Sequence, residues 1–195
     1  MLRPDLLRFL SLFLWLLIPG VSAHADNGIT TGKLSRAVEM PSHNWLAKIR
    51  EHPDKVLAPF TTDGCSGGMS SLWVFTAERY PAFAEAHEGA PPWEACCITH
   101  DHAYHSGGTD PDPEASYSAR IEADRELQRC VSATASERDD ILEEHYGLSE
   151  TQVRDIYQAI ALAMFQAVRL GGGPCTGLPW RWGYGYPHCW QTPED

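Results

Sequence analysis

The densest run of reactive side chains in this 195-residue chain is Cys96-Cys97-Ile98-Thr99-His100-Asp101-His102-Ala103-Tyr104. On a helix, Cys97, His100, Asp101 and Tyr104 stand three and four residues apart and share one broad face. An imidazole beside a carboxylate, flanked by cysteines, supplies a base and a hard-metal ligand on a short rigid stage. His100 and His102 also make an H-x-H pair, a spacing that zinc sites use. On a helix those two rings point about 200° apart, and Asp101 suits hard cations, so zinc chemistry is the weaker reading. His102 and His105 are expected to face solvent. Two further groups can join the run. One is the turn Gly64-Cys65-Ser66-Gly67-Gly68, with Asp63 before it. The other is Ala123-Asp124, six residues ahead of Cys130.

Helices must carry these groups. Trp93 to His105 reads as a helix that stops at Ser106-Gly107-Gly108. Asp112-Pro113 is a cap followed by proline in the first turn, and opens a helix running to about Ala135. Ser149-Glu150-Thr151-Gln152 has capping-box spacing. Val153, Ile156, Tyr157, Ile160, Met164 and Val168 then recur at threes and fours, an amphipathic helix ended by Gly171-Gly172-Gly173. Upstream, residues 26–42 read as a loose polar arm and Asn44 to Leu57 as a short helix. Ser70 to Glu88 reads as helical, interrupted by Pro81. Asp139-Asp140 and Glu143-Glu144 read as a solvated acidic face. The last 22 residues hold three Trp, two Tyr, Cys175 and Cys189. A Cys175–Cys189 bridge would staple this tail. Its aromatic residues suit either packing over the core or a lipid headgroup region. Alternating β-branched runs are few, so the class is mainly α.

The pattern Cys-Cys-x-x-His-Asp-x-x-Tyr resembles the active-site helix of secreted phospholipase A2. Gly64 to Gly68 is similar to that family's calcium loop. Ala123-Asp124 with Cys130 matches its second catalytic aspartate and following half-cystine. The resemblance spans roughly Asp63–Cys130, about a third of the chain. It implies a disulfide-stapled phospholipase A2-like fold with two antiparallel active-site helices, joined by Cys96–Cys130. His100 then lies four residues along one helix from that bridge, and Asp124 six residues back along the other. Their axial offset is only about 3 Å. The family's second bridge between these helices falls on Ala103 and Ala123, so both half-cystines are missing together. Cys65–Cys97 would tie the loop to the helix.

The implied activity is calcium-dependent hydrolysis of the sn-2 ester of phospholipids. His100 would take a proton from the attacking water. Asp124 would fix the ring's tautomer, and Tyr104 would bond to Asp124. Ca²⁺ would be held by Asp101 and by the carbonyls of Gly64, Ser66 and Gly68, polarising the ester and steadying the oxyanion. Ser66 stands where the family's loop usually has Gly, and Asp63 is a possible extra ligand. The substrate partner would be a phospholipid membrane or micelle interface. The alternatives are a catalytically silent binding module on the same scaffold, or a secreted zinc hydrolase.

Composition bounds these readings. Fifteen basic against 26 acidic residues give a charge of −11, which speaks against nucleic-acid binding and against adsorption to anionic lipid. Neither a phosphate-binding loop nor GxGxxG is present, so no nucleotide is indicated. Arg3 and Arg8, a short apolar run from Phe9 to Ile18, and Ala23-His24-Ala25 make a secretory signal peptide over residues 1–25. Without it, 13 basic and 25 acidic residues remain, a charge of −12. Residues 26–195 then form a single domain, secreted to an extracellular or periplasmic compartment. All six cysteines lie in that part, and an oxidising compartment favours up to three disulfides.

Overall fold

The computed structural model describes residues 28–65, 69–87 and 89–190. The leader over residues 1–25, and Ser66, Gly67 and Gly68 of the Gly-rich turn, lie outside the described residues. The chain divides into two units, Met1–Ser35 and Arg36–Asp195.

Helices account for the regular structure, and there is no strand among the described residues. In chain order they are α1 (Gly28–Glu51), α2 (Met69–Arg79), α3 (Pro81–His87), α4 (Glu94–Ser106), α5 (Pro113–Ala133), α6 (Asp139–Tyr146) and α7 (Glu150–Gly171). A 3₁₀ turn, Thr134–Glu137, joins α5 to α6. Three disulfides hold the frame: Cys65–Cys97, Cys96–Cys130 and Cys175–Cys189. No helix among the described residues is long and apolar enough to cross a membrane.

The boundary signals act as the sequence suggests. Asp112 Oδ1 accepts from the backbone N–H of Glu114 and Ala115, with Pro113 in the first turn of α5. Ser149 and Gln152 close a reciprocal capping box on α7. Gly107 ends α4 in the left-handed conformation, φ 70°, where only glycine fits without strain. Pro81 splits the predicted Ser70–Glu88 helix into α2 and α3.

Three segments differ from the sequence reading. Residues 28–42 are helical rather than a loose arm. Glu39 and His43 on α1 gain partners far along the chain, and those contacts outweigh the segment's weak local pattern. Helix α1 also stops at Glu51 rather than reaching Leu57, because Pro53 disfavours helical backbone at His52. The acidic stretch after Arg138 keeps Asp140, Glu143 and Glu144 exposed as expected, but does so as a helix, α6, that buries Leu142.

Helices α4 and α5 pair antiparallel. Cys96 bonds to Cys130, His100 to Asp124 and Tyr104 to Arg120, so rising numbers on one helix meet falling numbers on the other. The buried stripe of α5 is polar at one end, with Ser116, Arg120 and Asp124. At the other end it is apolar, with Leu127 and Val131. The apolar half joins Trp93, Val153, Tyr157 and Ala161 in the main core. The polar half lies between α1, α4 and α7.

Much of the C-terminal tail packs over the end of α4, while Trp190 is exposed. Trp182 is 1% exposed and meets Tyr104 edge to face at 5.0 Å. Gly183 N–H donates to Tyr104 O and Gly185 N–H to His105 O, satisfying carbonyls that the end of α4 leaves open. Arg50 Nη1 and Nη2 donate to the next carbonyls, Gly107 and Gly108. His105 is therefore buried against Tyr184 and Phe60, not solvent-facing. His102 is exposed as expected, and stacks on Phe60 at 3.6 Å.

Candidate active site

Asp124 is fully buried on α5, and its carboxylate receives three hydrogen bonds from two other helices. Oδ1 accepts from Tyr104 Oη at 2.6 Å and bonds His100 Nε2 at 2.9 Å. Oδ2 accepts from Arg169 Nη1 at 2.9 Å. Because a carboxylate oxygen only accepts, the imidazole proton sits on Nε2. The basic lone pair of a neutral His100 is then on Nδ1, and His100 lines a cavity of about 260 Å³. Burial, joined by the charge of Asp124, pushes the Tyr104 phenol well above its ordinary range, so it remains a donor.

Behind this trio lies a set of charges that sequence reasoning missed. Arg169 of α7 reaches Asp124 with one nitrogen and Glu39 Oε2 with the other, the latter at 2.7 Å. Arg120 of α5 bonds Glu39 Oε1, Tyr104 Oη at 3.2 Å and the carbonyls of Val168 and Arg169. His43 Nε2 also bonds Glu39 Oε1, at 3.0 Å. Two carboxylates thus face two guanidiniums, and these buried and partly buried charges balance across three helices. The available signal was spacing: Arg120 lies four residues before Asp124 on one helix face, and Glu39 four before His43.

Burial opposes ionisation of Glu39, yet His43, Arg120 and Arg169 outweigh it and hold the carboxyl down to about 2, from 4.5. A depressed folded-state value means this carboxylate contributes stability above about pH 4.5, lost as the pH falls toward about 2. Denaturant midpoints measured down this range should fall steeply in the wild type. Glu39→Gln should start lower and show a flatter slope between these values.

Asp101 is buried one position after His100 and meets Thr62 in the strap of residues 61–65 that precedes α2. Burial raises its carboxyl above the ordinary aspartate range, although the Thr62 hydroxyl, donating to Oδ2 at 2.5 Å, opposes the shift. Gly64 has φ +73°, a left-handed conformation that glycine takes without strain, and a Cβ there would push against the Glu94 carboxylate. The N–H of Gly64 donates to Thr62 Oγ1 and that of Cys65 to Ser70 Oγ, while Cys65–Cys97 pins the strap to α4.

The structure brings His100, Asp124 and Tyr104 into direct contact, and sets Asp101 and Gly64 with His100 around one cavity. Ser66 and Gly68 of the expected metal loop lie outside the described residues. The rest of the cavity wall is apolar, with Met69, Leu127, Met164, Val168 and Trp180. No group of three or more His, Cys, Asp or Glu side chains converges on one point among the described residues. His102, stacked on Phe60, and His100, bonded to Asp124, do not form a zinc pair. Such a site can hold a basic nitrogen, backed by a buried carboxylate, on the wall of a largely apolar cavity. Comparison with family models, with curated proteins and with solved structures finds no match to this chain.

Proposed function

We propose that this chain is a secreted hydrolase of the phospholipase A2 type, cleaving the sn-2 ester of phospholipids with Ca²⁺ as cofactor. One observation carries the reading. His100 is held through Nε2 by a buried Asp124, at the head of an apolar cavity that Asp101 also lines. An acyl chain fits the Met69, Leu127, Met164 and Val168 wall, which puts its ester next to the imidazole. Nδ1 accepts the proton of an attacking water. Asp124 keeps the ring in the required tautomer and balances the imidazolium that forms, while Tyr104 and Arg169 keep Asp124 in place. The proton then passes to the leaving glycerol oxygen. The apolar wall excludes competing water from the ester.

The donor chemistry fits calcium. Asp101 offers a carboxylate, and Gly64, whose main chain carries a carbonyl, lines the same cavity. These are hard oxygens, which is what the ion takes, and a site built largely from main-chain carbonyls needs few acidic side chains. When bound, the ion would polarise the ester carbonyl and offset charge on the oxyanion. Three disulfides suit an oxidising, extracellular or periplasmic compartment.

The test is fatty-acid release from mixed phospholipid vesicles, with Ca²⁺ and then with EGTA. The reading requires sn-2 release that EGTA stops and Ca²⁺ restores. No release from a folded, oxidised sample would favour a binding module instead. Asp101→Asn should weaken calcium binding by about tenfold or more, measured by titration calorimetry. Unchanged affinity would place the metal elsewhere.

A further inference from the structure

His43 is fully buried on α1, one hydrogen bond away from the charges behind Asp124. Its Nε2 lies 3.0 Å from Glu39 Oε1, and its Nδ1 lies 3.0 Å from Ser116 Oγ. Glutamate, histidine and serine in that order would activate a nucleophile. Ser116 is only 2% exposed, however, and its oxygen is ringed by His43, Trp182 and the Gly107 carbonyl, so no ester reaches it. The donors and acceptors define a different task.

Glu39 is ionised and only accepts, so Nε2 of His43 carries a proton. Trp182 Nε1 donates to Ser116 Oγ at 2.9 Å and uses one lone pair. With a neutral ring, Ser116 donates its hydroxyl proton to Nδ1, and the Gly107 carbonyl is served by Arg50 Nη1 at 3.0 Å. With a protonated ring, Nδ1 donates to the second lone pair of Ser116, whose hydroxyl turns to Gly107 O, 3.3 Å away. Both states satisfy all of these groups. The ring therefore takes a proton from solvent through one hydroxyl rotation, with no hydrogen bond lost.

Charge is what changes. Glu39 and Asp124 already balance Arg120 and Arg169. Arg169 is divided between Glu39 Oε2 at 2.7 Å and Asp124 Oδ2 at 2.9 Å. A proton on His43 gives Glu39 a further cation and loosens its hold on Arg169. We infer that His43 is a positioning residue that carries the effect of a solvent proton to Asp124, by shifting Arg169 from Glu39 toward Asp124. Its consequence for turnover rests on the hydrolase reading: an Asp124 more fully neutralised by Arg169 supports less charge on His100.

The charged groups facing the ring are Glu39 of α1, Arg120 of α5 and Arg169 of α7. Tyr117 meets it edge-on at 5.6 Å, and Trp182 of the tail shares Ser116 with it. Burial holds its proton affinity below the ordinary histidine value of 6.5, opposed by Glu39 and aided by the two guanidiniums. The relay therefore acts below pH 6.5, while Glu39 keeps its charge down to about 2.

The test follows Arg169, which does not itself titrate in this range. The full oxidised chain, isotope-labelled at arginine and histidine nitrogens, is titrated by NMR from about pH 8 to about pH 4. The Arg169 guanidinium signals should shift with the midpoint at which His43 Nδ1 gains its proton. His43→Gln keeps a donor for Glu39 and cannot titrate, so that step should vanish. Ser116→Ala keeps the ring but removes the acceptor of its second proton. It should lower the shared midpoint by about one pH unit, the scale of one charge-assisted hydrogen bond, and it carries the test if His43→Gln does not fold. An Arg169 step that survives in His43→Gln, or keeps its midpoint in Ser116→Ala, overturns the inference. So does a His43 that titrates without a response at Arg169, or that stays neutral until the fold melts. Fatty-acid release from vesicles is measured separately over the same range, and the wild type should lose severalfold more activity through the step than His43→Gln. A coupled step without any release leaves the coupling standing and removes the hydrolase reading. Release without the step does the reverse.

Discussion

His100→Gln should lower calcium-dependent fatty-acid release by about a thousandfold to ten-thousandfold, while the folded protein and its calcium affinity stay close to wild type. The substitution is chosen for what it keeps. A glutamine amide can still donate to Asp124 Oδ1, so the carboxylate remains partnered on both oxygens. The amide has no basic lone pair to replace Nδ1, so a water in the cavity loses its proton acceptor. Three readouts decide the matter together: release rate on phospholipid vesicles, calcium binding by calorimetry, and melting temperature. Lost activity with intact binding and melting assigns the base to His100. Activity within tenfold of wild type would remove His100 from the chemistry. A large drop in melting temperature would mark His100 as a structural partner of Asp124 instead.

The part of this site that is local in sequence was legible. His100, Asp101 and Tyr104 share a helix face because their spacing is that of a helix, and Cys96–Cys130 sets the register that brings Asp124 level with His100. Capping worked for the same reason: Asp112, Ser149 and Gly107 act on their own neighbours. The illegible part was long-range and charged. Glu39 meets Arg169 across 130 residues and Arg120 across 81. A lone charge in a sequence reads as solvent-facing, since burial is favourable only when its partner is already in place. The same blindness hid the part of α1 before Asn44, where Glu39 and His43 find those distant partners. His105 was misplaced because its cover, Tyr184, arrives from the other end of the chain. Pro53 was a local signal, and the end of α1 at Glu51 could have been read from it.

The charged cluster behind Asp124 carries the largest stability effect. Arg120 is fully buried and bonds four separate groups: Glu39, the Tyr104 phenol, and the carbonyls of Val168 and Arg169 near the end of α7. Arg120→Met should destabilise the fold by about 3–5 kcal/mol, because it leaves a buried carboxylate short of charge and helix-end carbonyls unmet. Arg120→Lys should recover only part of this. It keeps the charge, but one ammonium has no planar fork with which to bridge α1, α4 and α7 at once. The sharper experiment pairs Arg120→Met with Glu39→Gln. If the two residues act as one balanced pair, the double variant removes both charges and loses clearly less stability than the two single losses added together. Strict additivity in denaturant titrations would mean that each residue stabilises the fold independently.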